Sequence, residues 1–204
     1  MFVKICGMTR VEDAVAAAEC GADAIGFIFW PDSPRCVEPL RAREIAAAVQ
    51  KRVATVGVFV DQSADEIARI ADLVQLSSIQ LHGGETPEFA AALGWPVIKA
   101  VTLGDPLIER WPASVTVLLD AHDPVKKGGT GTAIDWNLAA AVARRRPVVL
   151  AGGLTPENVG EAITHVRPFG IDVSSGVEQA PGVKHPERIR ALFKAIHATH
   201  NVPA

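Results

Sequence analysis

The chain has 204 residues, 49% hydrophobic and 21% charged, and its 20 Lys and Arg against 23 Asp and Glu leave a formal charge of -3. Such a chain buries a full core and reads as a single domain over 1–204, while its scattered cations give no basic footprint for nucleic acid or an anionic membrane surface. No apolar run approaches the ~18 residues of a membrane span and the N-terminus lacks the plan of a signal peptide, so a cytoplasmic protein is expected.

FVKIC (2–6) predicts the first strand and VEDAVAAAEC (11–20) the first helix, with Cys20 packed just before the helix-ending Gly21. AIGFIF (24–29) and LRAREIAAAVQ (40–50) form the second pair, VATVGVFV (53–60) and ADEIARIADL (64–73) the third. There Ile67, Ile70, Ala71 and Val74 recur every three to four residues, the stripe of a helix lying on a sheet. SIQLH (78–82) leads to TPEFAAALG (86–94), PVIKAV (96–101) to the short DPLIER (105–110), and VTVLLD (115–120) to DWNLAAAVARR (135–145). PVVLA (147–151) leads to TPENVGEAIT (155–164), and GIDVS (170–174) to HPERIRALFKAIH (185–197). Thr86-Pro87-Glu88 and Thr155-Pro156-Glu157 each offer a capping hydroxyl, a proline for the first helical position and an early acid. Alternating strands and helices imply a parallel sheet, and eight such units close into a (β/α)8 TIM barrel. An open doubly wound sheet is the competing architecture.

Polar residues inside barrel strands need a reason, because both faces are covered. With a two-residue period, Lys4 and Cys6 share a face, as do Gln80 and His82, Thr116 and Asp120, and Gly170 and Asp172. The apolar Val3, Ile5, Val117 and Leu119 fall on the other face, under the helices, so the polar set points inward. Cys6, His82, Asp120 and Asp172 also end their strands, at the rim where barrel enzymes place their chemistry. One such residue is ordinary packing; four from different strands are better explained by a common pocket. Asp172 either orients a ligand hydroxyl or pairs with Lys4, and His82 either lines the pocket or is a satisfied histidine at a strand end.

Glycine-rich loops follow strands six, seven and eight: KKGGTGTA, AGGLTPENV and SSGVEQAPG. Glycines bring backbone N–H groups close to a ligand and helix N-termini favour anions, so Gly152, Gly153, Ser174, Ser175 and Gly176 are candidates for a phosphate site. Each loop alone is a plain turn; two after consecutive late strands are not. GGTGTA fits neither the Walker pattern nor the dinucleotide fingerprint. Cys6, Cys20 and Cys36 form no C-x-x-C pair, and Asp120, His122 and Asp123 lack further ligands, so no disulfide framework or metal site is expected. His197 and His200 fall in the last helix or tail and read as solvated.

KICGMT (4–9), DAIGFIFWPDSPR (23–35), VGVFVD (56–61), IQLHGGE (79–85), LLDA with GGTGTAIDW (118–136), LAGGLTPENV (150–159) and DVSSGVEQAPGVK (172–184) resemble the phosphoribosylanthranilate isomerases of tryptophan biosynthesis, in order and spacing over almost the whole chain. The resemblance implies a (β/α)8 barrel that performs an Amadori rearrangement of a phosphosugar without a cofactor, as a monomer or homodimer. It implies Cys6 as the base, Asp120 as the acid and Arg35 as a substrate contact; the planar guanidinium suits the anthranilate carboxylate, whereas a bland reading makes Arg35 a surface-loop residue. Gly128, Gly129, Thr130 and Gly131 would form a flexible loop over the substrate. Thr132, Cys36 and His185 depart from the family pattern. A free thiol is mostly protonated and a free carboxyl mostly ionised at neutral pH, so Lys4 is expected to favour the Cys6 thiolate and desolvation to raise Asp120. The rivals are the sister isomerase of histidine biosynthesis, which has an aspartate in place of Cys6, and a catalytically silent phosphate-binding barrel.

Overall fold

The computed structural model describes residues 1–49, 52–105, 108–120 and 134–200. Among these, eight parallel strands form a closed barrel in sequence order: β1 Phe2–Ile5, β2 Ala24–Ile28, β3 Ala54–Phe59, β4 Ser78–Leu81, β5 Val97–Thr102, β6 Thr116–Asp120, β7 Val148–Leu150 and β8 Gly170–Val173. β8 pairs with β1, Lys4 opposite Asp172, which rules out the open sheet. The helices around it are α1 Val11–Cys20, α2 Pro39–Val49, α3 Ala64–Val74, α4 Pro87–Ala91, α5 Trp136–Ala143, α6 Val159–Val166 and α7 Pro186–His200.

The two-residue period sorts the strand side chains as the sequence suggests. Ile5, Ile25, Phe27, Val117 and Leu119 are fully buried against the helical layer, whereas Ala24, Val56, Ile98, Ala100, Leu118 and Val149 fill the barrel interior. Small and branched inner residues plug the lower barrel and leave the C-terminal mouth to the polar set. Cys6 and His82 sit one residue beyond their strands, yet their backbone N–H groups still bond Val173 O (2.9 Å) and Phe59 O (2.8 Å), so the sheet fixes both.

Three local expectations change. Residues 155–158 form a turn in which the Thr155 hydroxyl accepts from Glu157 N–H, and α6 begins at Val159. Asn158 competes for the same backbone: it accepts from Thr155 N–H and donates to Gly153 O, tying the loop to itself. Thr86 behaves as expected and caps Phe89 N–H with Pro87 in the first turn. The SSGVEQAPG stretch, read as loop, instead contributes β9 Glu178–Ala180 to an antiparallel ribbon with β10 Val183–Lys184.

In the fifth connection the described residues show only a 3-10 turn, Ile108–Arg110, where a helix over 105–110 was expected. The Arg146 guanidinium anchors this segment, donating to the carbonyls of Ile108 (2.8 Å), Trp111 (3.1 Å), Pro112 (3.3 Å) and Val115 (3.0 Å). Arg146→Ala leaves four carbonyls without this partner and is expected to cost about 2–4 kcal/mol in urea unfolding. A loss within the roughly 0.5 kcal/mol of an ordinary surface change would mean that the turn holds itself.

Candidate active site

A cavity of about 540 Å³ opens at the C-terminal mouth, and its wall includes Cys6, Arg35, His82, Asp120, Asp172, Gly152, Gly153, Ser174 and Ser175. Gly176 stands just behind this wall: a Cβ there would strike the Leu154 backbone, so its bareness serves the close approach of the last two loops. Gly128, Gly129, Thr130, Gly131, Thr132, His122 and Asp123 lie outside the described residues.

On one side of the cavity sits the thiol. Cys6 is buried, and Gly26 on the neighbouring strand makes room for it, since a Cβ at Gly26 would stand 2.7 Å from Sγ. Beneath it Lys4, wholly buried, pairs with Asp172 at 3.0 Å. Burial drives the Lys4 charge down, but Asp172 and Cys6 override it and hold the ammonium above its ordinary range. Asp172 therefore makes the inward ion pair and also faces the cavity.

For Cys6 the expected shift is reversed. Desolvation pushes the thiol above its ordinary value, and the opposing pull of Lys4 and Lys184 does not overcome it, with Asp172 adding to the rise. Burial thus favours the thiol over the thiolate at Cys6. Iodoacetamide should accordingly label Cys6 slowly at pH 7, the rate climbing through and beyond the usual thiol range of about 8.5. Mass mapping separates it from Cys20 and Cys36, and a rate already at its plateau at pH 7 would contradict the burial argument.

Asp120, also buried, ends β6, and its Oδ2 lies 3.3 Å from His82 Nε2. Gln80, two residues back on the inner face of β4, directs its amide Nε2 at His82 Nδ1 (3.1 Å). An amide donor on Nδ1 places the ring proton on Nε2, facing the carboxylate. His82 is thus both a cavity residue and a satisfied one. Gln80 Oε1 is buried and has no hydrogen-bond partner among the described residues.

Arg35, in the loop after β2, is buried, and its Nε and Nη2 grip both oxygens of Glu178 at 2.8–3.1 Å. Lys184 Nζ holds Glu178 Oε1 at 2.8 Å and donates to Ser174 O at 3.2 Å, while its own N–H is tied to Asp13. Burial opposes the Glu178 charge, but these two cations prevail and keep its carboxyl below the usual range; in Lys184 burial prevails and lowers the ammonium. Nothing in the sequence alone gives Glu178 and Lys184 a role. They lay inside a quoted motif, but among glycines and prolines that read as loop.

The remaining wall is the glycine and serine cradle. Gly152 and Gly153 have φ of 82° and 66°, which only glycine adopts freely, and they turn the chain after β7 without side chains in the way. Beside it, the turn Ser175–Val177 begins after Ser174, whose Oγ is buried and has no hydrogen-bond partner among the described residues.

A closed parallel barrel with its polar residues and glycine loops gathered at the C-terminal mouth is a (β/α)8 protein of the kind that handles small molecules there. Comparison with known proteins narrows this class. Residues 3–195 match the family described as N-(5'phosphoribosyl)anthranilate (PRA) isomerase. The N-(5'-phosphoribosyl)anthranilate isomerase of Pseudomonas putida is 47% identical over 198 residues, 95% of this chain and 96% of that protein. The crystal structure of phosphoribosyl anthranilate isomerase from Thermus thermophilus superposes with a TM-score of 0.87 at 44% identity, covering 97% of this chain and 99% of the other. A phosphoribosyl anthranilate isomerase crystallised with reduced 1-(o-carboxyphenylamino)-1-deoxyribulose 5-phosphate gives 0.85 at 40% identity, covering 97% and 99%. The chain belongs to the phosphoribosylanthranilate isomerase family.

Proposed function

We propose that the chain is a cytoplasmic enzyme of tryptophan biosynthesis that isomerises N-(5-phosphoribosyl)anthranilate to 1-(2-carboxyphenylamino)-1-deoxyribulose 5-phosphate without a cofactor. The observation that carries this reading is Cys6 and Asp120 on the wall of one cavity, from β1 and β6, with the glycine cradle beside them. The ligand of the crystallised relative is a sugar phosphate bearing a carboxyphenylamino group, the class of molecule this cavity would take. Three free cysteines suit a reducing compartment.

In the proposed reaction Asp120, as the carboxylic acid, gives its proton to the ribose ring oxygen while the C1–O bond breaks, its electron pair going to that oxygen. The aglycone nitrogen supplies electrons to C1 and an iminium forms. Cys6, in the thiolate form that its thiol reaches by losing a proton to solvent, then takes the proton from C2 and leaves an enolamine. Ketonisation, with a proton entering at C1 and one leaving the C2 hydroxyl, completes an isomerisation with no net change of atoms or electrons. Lys4 and Lys184 favour the thiolate against burial, and His82, donating to Asp120, fixes the direction of its carboxyl. Gly152, Gly153, Ser174 and Ser175 would hold the phosphate, with Gly176 letting the two loops meet behind them, Arg35 the aglycone carboxylate, and Asp172 a ribose hydroxyl while it retains Lys4.

Mixing the protein with freshly made phosphoribosylanthranilate and following the loss of its fluorescence tests the reading. Decay no faster than the protein-free control would leave a silent phosphate-binding barrel instead. Turnover of the histidine-pathway aminoimidazole substrate at a comparable rate would favour the sister isomerase.

A further inference from the structure

Arg35 belongs to a loop, and a loop arginine ordinarily has many rotamers. Here it has one address. Its stem crosses the turn after β1 so closely that a Cβ on Gly7 would stand 2.8 Å from Arg35 Cδ, and Gly7 itself has a φ of 77° that disfavours other residues. Its head is fixed by Glu178, whose side chain is 5% exposed. Glu178 is held in turn by Lys184 Nζ (2.8 Å) and by the N–H of Gly182 (3.2 Å) at the tip of the ribbon.

A guanidinium offers two forked edges, one through Nε and Nη2 and one through Nη1 and Nη2. Glu178 occupies the first. Among the described residues nothing is bonded to Nη1, and Arg35 lines the cavity beside Trp30, Pro34 and Pro181. Two cations share one carboxylate, so the cluster carries one formal positive charge in excess.

We propose that Glu178, which touches no substrate, is a positioning residue that turns the end-on edge of Arg35 toward the cavity and so makes the site selective for an aryl aglycone bearing a carboxylate. This rests on the proposed role of Arg35. Without the Glu178 anchor the guanidinium is free to leave the carboxylate-facing pose, and that contact alone weakens. Asp120 does not depend on it, and in E178Q the amide oxygen can still accept from Lys184, which keeps the Lys184 contact with Ser174 O in the phosphate cradle.

The test uses two ligands: reduced 1-(2-carboxyphenylamino)-1-deoxyribulose 5-phosphate and the phenylamino counterpart without the carboxylate, titrated calorimetrically into the wild-type protein and E178Q. The expected result is a loss of about 10- to 100-fold in affinity for the first ligand, the scale of one charge-assisted contact, with the second unchanged within about twofold. In turnover the loss should appear as a raised KM for the carboxylate-bearing substrate. Equal weakening of both ligands, or no weakening of either, overturns the proposal. Should E178Q fail to fold, Glu178→Asp serves: the shorter carboxylate keeps its charge beside Lys184 but draws back from Arg35, and the same selective loss is expected. A wild-type protein that prefers neither ligand overturns the Arg35 reading and this proposal with it, whereas absent turnover with intact selectivity counts only against the proposed reaction.

Discussion

Cys6→Ser and Asp120→Asn should each lower kcat by about 10²- to 10⁴-fold, the usual contribution of a positioned base or acid, while KM moves little. A hydroxyl occupies nearly the place of the thiol, but its much higher pKa removes the only proposed acceptor for the C2 proton. Asparagine preserves the shape of Asp120 and can still face His82, but it has no proton to give to the ring oxygen. Both variants should remain folded, because each exchanges atoms of similar size in a wall already shaped by Gly26 and the β6 ladder. Steady-state turnover under saturating substrate decides the matter. Activity within a few-fold of wild type for either variant would remove that residue from the mechanism.

Much of this arrangement is legible in the chain because a barrel strand has only two faces. Once Lys4, Gln80, Thr116 and Gly170 are placed inside, Cys6, His82, Asp120 and Asp172 must rise from the same face at the mouth. What the chain hides are contacts whose partners are distant in sequence and set by loops. Glu178 reaches Arg35 across 143 positions, and the ribbon that presents it has strands of three and two residues, too short for any period to register. The fifth connection misleads for a related reason. DPLIER has helical composition, but the described part of it closes as a turn, anchored by an arginine from the segment after α5. The sign of the Cys6 shift was also beyond reach, since Lys4 beside it is plain in the sequence whereas the depth of burial that outweighs Lys4 is a property of the packed mouth.

Lys4→Met should destabilise the protein by about 3–5 kcal/mol, because it strands the largely buried Asp172 carboxylate, whose side chain is 9% exposed, without its partner. The neighbouring groups make the cost one of charge more than volume: methionine fills nearly the same space between Ala24 and Asp172 in the inner layer. Replacing both partners, Lys4→Met with Asp172→Leu, should recover most of the loss, since a buried pair exchanged for apolar residues of similar size is often neutral or better. Urea unfolding at neutral pH measures both. The pH dependence has a definite sign. Lys4 is held above its ordinary value of 10.5, so the pair's stabilisation is complete below that value and fades as pH rises through the higher folded one; the variants should lack this alkaline decline. The double variant should nevertheless stay poorly active. Although losing Asp172 removes one influence that raises the thiol, losing Lys4 removes the larger one that lowers it, so the Cys6 thiolate becomes scarcer still. A double variant that recovers both stability and turnover would show that the buried ammonium serves the fold alone, and that Cys6 draws its reactivity from elsewhere.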